Sequence, residues 1–119
     1  MNTSVGHNSN LLDANRIAHR MEELGHSWAD KHAAAQLLED CEKAILAEIT
    51  QDYRPNAKSM SEAESLARAS KRYRDHLASS VEARRLANRA RVTFDAFRAL
   101  TDLQRTNSAN ERALMGLGR

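Results

Sequence analysis

The sequence predicts an all-α protein: an elongated antiparallel helical hairpin or coiled-coil-like bundle with a long C-terminal helix. Three observations carry this. Twenty of the 119 residues are alanine, and Leu, Glu and Arg are also abundant; all four are strong helix formers. Glycine (4) and proline (1) are scarce, and β-branched residues are few, which argues against strands. Large apolar side chains are sparse, with aromatics at 4%. Alanine buries little area, and burial stabilises by only about 25 cal/mol per Å². A chain this short also buries a limited fraction of its surface. A homo-oligomer that completes its core by association is therefore expected.

Met1 to Asn10 is rich in Asn, Ser, Thr, Gly and His and has no apolar period. It is expected to be a disordered arm, with residues 11–119 forming a single helical domain. A first helix is expected over Leu11 to Leu24, with Leu12, Ile17, Met21 and Leu24 as its stripe. Gly25 then reads as a C-cap, and Ser27 with Asp30 reads as a restart, so a bend is expected near Gly25 and His26. The second helix runs from about Trp28 to Tyr53, with Trp28, Leu38, Cys41, Ile45 and Ile49 at helical spacing. Pro55 ends it by disfavouring helical geometry at Arg54.

Two overlapping capping signals follow, Ser59 with Glu62 and Ser61 with Glu64, and they start a third helix near Met60. It either stops near Ala69, with Ser70 capping a new start, or runs straight on. The last helix is expected from about Lys71 to Met115, a span free of Gly and Pro and about 65 Å long if unbroken. Its apolar positions include Tyr73, Leu77, Val81, Leu86, Phe94, Phe97, Leu100 and Leu103. They drift around the helix instead of keeping a seven-residue seam, which suits packing against more than one neighbour. Thr106 to Asn110 is its weakest stretch.

Net charge is only +2, but it is divided along the chain. Residues 11–53 hold nine acids and four bases; residues 68–98 hold nine bases and three acids. One reading packs the acidic helix antiparallel to the basic one, complementary flanks fixing orientation. The other reading is a nucleic-acid surface made by Arg72, Arg74, Arg84, Arg85, Arg89 and Arg91, whose guanidinium groups would take salt-dependent phosphate contacts. Tyr73 could stack on an unpaired base. No helix-turn-helix, zinc-finger or RNP-type pattern accompanies them. The segment around His26 and Trp28 is the most unusual stretch. Trp28 either anchors the expected bend or forms, with His26, a partner-binding hot spot.

The chemistry of an enzyme is missing from the sequence. None of the five histidines pairs with another at i, i+3 or i+4, the spacing that sets two ligands on one helix face. Glu23 and His26 make a single Glu-x-x-His, where a carboxylate-bridged di-metal bundle needs two. There is no phosphate loop, nucleophile elbow or Cys-x-x-Cys. His76 reads as a surface residue. Cys41, flanked by Asp40 and Glu42, reads as a small, partly buried residue without reactive-thiolate character. No enzyme activity, metal, cofactor or small-molecule substrate is expected. No stretch approaches the roughly 18 apolar residues of a membrane span, and the polar N-terminus does not read as a signal peptide. A cytoplasmic location and no membrane association are expected.

The chain resembles short helical proteins of proteobacterial tailed phages and prophages. The resemblance runs through Met21-Glu22-Glu23-Leu24-Gly25, Ser61-Glu62-Ala63-Glu64, Tyr73-Arg74-Asp75-His76 and the segment from Val81 to Val92. It covers about Arg20 to Ala109. Reading frames of this kind often lie among recombination and replication genes, so it implies an accessory role in phage DNA metabolism in the cytoplasm of a bacterial host. It brings no catalytic residues. Three functions stay open at this point: an oligomeric accessory that binds DNA or a DNA-processing partner through the basic helix; an inhibitor or adaptor acting on a host protein, for example a defence enzyme; and a structural coiled-coil assembly component.

Overall fold

The computed structural model describes the backbone of residues 2–117 and the side chains of residues 13–117. The disordered arm expected over residues 1–10 lies outside the residues described in full. The fold is all-α, with no strand among the described residues: α1 (Asn2–Asp40), α2 (Glu42–Tyr53), a 3₁₀ turn (Arg54–Asn56), α3 (Met60–Ala69) and a long C-terminal helix α4 (Lys71–Leu117). No helix among the described residues is long and apolar enough to cross a membrane. The chain divides into two compact units, one of residues 29–89 and one of residues 1–28 with 90–119.

In the 29–89 unit the helix boundaries follow local chemistry. α2 ends at Tyr53, two residues before Pro55, but Arg54 keeps helical φ of −54° and ψ of −42° instead of leaving the helical region as expected; the chain tightens into the 3₁₀ turn through Pro55 and becomes extended only at Ala57. Ser59 is the N-cap of α3: extended, with its Oγ accepting from the Glu62 N–H at 3.1 Å. Glu62 reaches back to the Lys58 N–H at 3.3 Å, one residue earlier than the reciprocal bond of a capping box. Ser70 separates α3 from α4. Its ψ of 149 takes it out of the helix, its Oγ donates to the Ala67 carbonyl at 2.6 Å, and the same oxygen accepts from the Tyr73 N–H at 3.2 Å. Of the two courses left open by the sequence, the stop at Ala69 is the one taken.

The core of this unit is small. Ile49, Ala67 and Tyr73 are buried together, with Ile45, Leu46, Tyr53 and Leu77 packed around them. Ala63 and Ala67 on α3 have no exposed surface, so α3 and α2 approach closely through methyl groups. Tyr73 is the large residue of the cluster, and its hydroxyl donates to Glu42 Oε1 at 3.0 Å. As contacts climb the acidic helices from Glu39 through Glu42 and Glu48 to Asp52, they descend α4 from Arg84 through Tyr73 to Arg72. The unit is thus an antiparallel pair with α3 folded against α2.

In the other unit α1 runs antiparallel to the C-terminal half of α4. Trp28 stacks on Phe94, with centroids 6.1 Å apart and rings inclined by 21°. Further on, Ile17 and Met21 share a groove with Thr101 and Arg105. Thr101 is buried and its hydroxyl donates to the Phe97 carbonyl at 2.9 Å.

Two further expectations need correction. The bend at Gly25 and His26 is absent: α1 runs through both, and no glycine among the described residues has positive φ. Gly25 is there for contact instead. A Cβ at this position would stand 3.3 Å from Phe94 Cε2, so the missing side chain makes room for the ring. With no stop at Gly25, Ser27 has no helix start to cap. The second helix is also divided where no break was expected, at Cys41. The interruption is slight, because Cys41 N–H still donates to Leu37 O and Ile45 N–H to Cys41 O, both at 3.0 Å. The expected weak stretch at Thr106 to Asn110 lies inside α4 without a break.

Candidate nucleic-acid interface

Six arginines of α4 were singled out from sequence, and the helix distributes them over different faces. At about 100° per residue, neighbours in the chain point in different directions, so a block of bases in sequence is not a patch in space.

Arg84 and Arg72 face the acidic helices. Arg84 grips Glu39 bidentately, Nε to Oε1 at 2.7 Å and NH2 to Oε2 at 2.8 Å. Its NH1 also reaches His32 Nδ1 at 2.9 Å, and NH2 lies 3.5 Å from Gln36 Oε1. Because guanidinium only donates, His32 Nδ1 is the accepting nitrogen in this arrangement. The hydrogen bonds from Arg84 hold the Glu39 carboxyl below the usual carboxylate range against some opposing desolvation, and the same bonds raise Arg84. Arg72 bridges Glu48 at 3.2 Å and Asp52 at 3.6 Å. The complementary-flank reading of the divided charge therefore holds for these two residues.

Arg74, Arg85 and Arg89 take the outer face. Their positions fall within an arc of about 60° and span about 22 Å along the axis. All three are exposed. Arg85 is paired with Glu82 on its own helix, NH2 to Oε1 at 2.6 Å and Nε to Oε2 at 2.9 Å, which lowers the Glu82 carboxyl and raises Arg85. Lys71 continues the row and pairs with Asp75 at 2.7 Å. Exposed pairs of this kind contribute little and are screened by salt, so a phosphate can displace the carboxylate. Arg91 lies in the other unit and is exposed there.

His26 and Trp28 are not brought into one patch. His26 is exposed on α1, with Nε2 3.9 Å from Glu22 Oε1. Trp28 is half-buried and stacked on Phe94, whose ring also carries the Arg98 guanidinium carbon at 5.5 Å from its centroid. Trp28 anchors a packing contact, though between helices and not at a bend.

Sequence reasoning missed three features. His76, read as a surface residue, is half-buried, and its Nε2 lies 2.9 Å from the Leu38 carbonyl. A carbonyl only accepts, so Nε2 carries the proton there. The Tyr73–Glu42 bond and the Gln36–His32–Glu39 cradle of Arg84 were also missed. Helical period could have found the cradle, since His32, Gln36 and Glu39 stand four and three residues apart on one face. Cys41 is half-buried, as expected. Among the described residues no group of three or more His, Cys, Asp or Glu side chains is placed to hold a metal ion.

No protein-family model, curated protein or solved structure matches this chain.

Proposed function

We propose that this chain is a non-enzymatic, oligomeric helical accessory protein that binds nucleic-acid phosphates through the outer face of α4, in the setting of phage DNA metabolism that the sequence resemblance implies. One observation carries the reading. Arg74, Arg85 and Arg89 form an exposed row on one face of a single helix. A helix that needed arginine only for its acidic neighbour would concentrate it on the packed side, where Arg72 and Arg84 already are. The row holds no acid of its own between the arginines except Glu82 and Asp75 at its edge. It offers charge without base-reading groups, so binding is expected to be general and not sequence-specific.

The test is binding to a short duplex and to a short single strand as salt is varied. Three phosphate contacts on duplex DNA give a log–log slope of about −2.7, so affinity falls about 40-fold between 50 and 200 mM salt. Changing Arg74, Arg85 and Arg89 together to Ala should abolish salt-dependent binding, whereas Arg91→Ala should leave it in place. Binding that ignores salt, or that survives the triple change, refutes the proposal.

A further inference from the structure

In the unit formed by residues 1–28 and 90–119, the outward arc of α4 that carries the arginine row earlier in the helix changes to apolar chemistry. Val92, Leu103 and Leu114 stand eleven residues apart and remain 63%, 56% and 69% exposed. An eleven-residue spacing keeps them almost in line along a helix. Ala96 and Ala99 lie between Val92 and Leu103 in the same arc of about 60°, and both are exposed. The side of α4 that holds Phe94 and Thr101 against α1 is the opposite one, so this stripe has no cover within the unit. Arg91 and Asp102 lie on one flank of it, about 20° apart around the axis and about 16 Å apart along it. Both are exposed, and neither makes an ion pair among the described residues.

We propose that this stripe seats a second copy of the chain, with the two α4 helices antiparallel and a twofold axis passing between Ala96 and Ala99. The pattern is self-complementary in that direction. Val92 of each copy meets Leu103 of the other, while Ala96 meets Ala99 at the centre, where small side chains let the backbones approach. Arg91 of each copy comes within reach of Asp102 of the other, twice by symmetry, as an isologous interface requires. In a parallel arrangement in register the two copies of this flank fall on opposite sides of the seam, so Arg91 of one copy would not meet Asp102 of the other. The inference rests on the oligomeric part of the proposed function; because the mass is measured without nucleic acid and at residues outside the arginine row, its failure is told apart from a failure of phosphate binding.

The test is the mass in solution by sedimentation over a range of concentrations, with far-UV circular dichroism to check folding. The wild-type chain is expected to form a dimer, and Leu103→Glu, at an exposed position, a folded monomer. Arg91→Asp and Asp102→Arg are each expected to weaken self-association about tenfold. Combining them restores the cross pairs with signs reversed and should return the Kd to within about threefold of the wild type. A monomer at all concentrations overturns the inference, as does an oligomer whose mass Leu103→Glu leaves unchanged. A double charge reversal weaker than either single change refutes the antiparallel register, and it does so even if Leu103→Glu fails to fold.

Discussion

Tyr73→Phe removes one oxygen from the core of the 29–89 unit and tests how that core is held. Tyr73 is 5% exposed and is the bulky buried residue that α4 gives to the cluster with Ile49 and Ala67 among the described residues. Its ring stays in the variant, so packing is conserved and only the 3.0 Å bond to Glu42 is lost. A hydrogen bond to a charged acceptor contributes about 1.5–3 kcal/mol. Glu42 is half-buried and regains some water when the hydroxyl goes, which brings the expected loss to about 1–2 kcal/mol. With a urea m value of about 2 kcal/mol/M, the unfolding midpoint should fall by about 0.5–1 M. Urea titration at fixed protein concentration, followed by circular dichroism, measures it.

The same pair has a pH signature. Burial, and then the hydrogen bond and charge of Glu42, hold the Tyr73 phenol above its ordinary value. The folded chain therefore keeps a proton that the unfolded chain releases above pH of about 10. This contribution is fully present below that pH and is lost as pH rises through the folded value. The stability gap between wild type and Tyr73→Phe should hold constant from neutral pH to about pH 9 and narrow above pH of about 10. A variant within about 0.3 kcal/mol of wild type at pH 7, set against the hydrogen-bond contribution, refutes the reasoning, and so does a gap that stays constant into strong alkali.

Three further outcomes are expected. Ser59→Ala removes the N-cap of α3 and should lower stability by about 1 kcal/mol in thermal or urea unfolding, with Ser59→Gly closer to wild type. Ala67→Leu forces a larger side chain between α3 and α2, where Ala67 has no exposed surface, and should destabilise by about 1–3 kcal/mol; Ala78→Leu, at an exposed position of α4, should stay within about 0.5 kcal/mol. Glu39 has a lowered carboxyl, so its contribution is present above the ordinary carboxylate range and lost as pH falls through the folded value. Glu39→Gln should therefore lower stability at neutral pH and flatten the acid limb of the stability profile, as read from melting temperatures between pH 7 and pH 3.

What could be read from sequence, and what could not, follows from the range of the forces involved. Pro55, Ser59 and Ser70 act within a few residues of themselves. A missing N–H or a side-chain oxygen three residues from an unbonded amide acts on the local backbone, and all three boundaries lie beside these residues, although Pro55 does not displace Arg54 from helical geometry. Gly25 was misread because its reason is Phe94, 69 positions further along the chain. A glycine followed by Ser-x-x-Asp carries the local signature of a stop and restart, while helix propensity sets only about 1 kcal/mol against continuing through it. Tertiary packing of Trp28 and Gly25 against one ring outweighs that. The Tyr73–Glu42 bond, across 31 residues, has no local signature at all. Charge fell between these cases: its division along the chain was plain, but its assignment to faces needed the helical phase.

That phase spreads one basic block over several faces of α4. Arg84 and Arg85 are adjacent in sequence and about 100° apart on α4. One is wrapped by Glu39, His32 and Gln36 from another helix; the other lies in the open, held only by Glu82 on its own helix. Arg72 and Arg84 make cross-helix ion pairs to Glu48, Asp52 and Glu39. The arginines at 74, 85 and 89 add charge on the exposed side of α4, which raises the repulsion along the helix. Exposed like charges a few residues apart on one helix are mildly destabilising, and a polyanion on the row, as proposed above, would offset that repulsion. Screening separates the two groups: added salt should strip a bound polyanion from the exposed outer row well before it loosens the part-buried, bidentate Arg84–Glu39 contact.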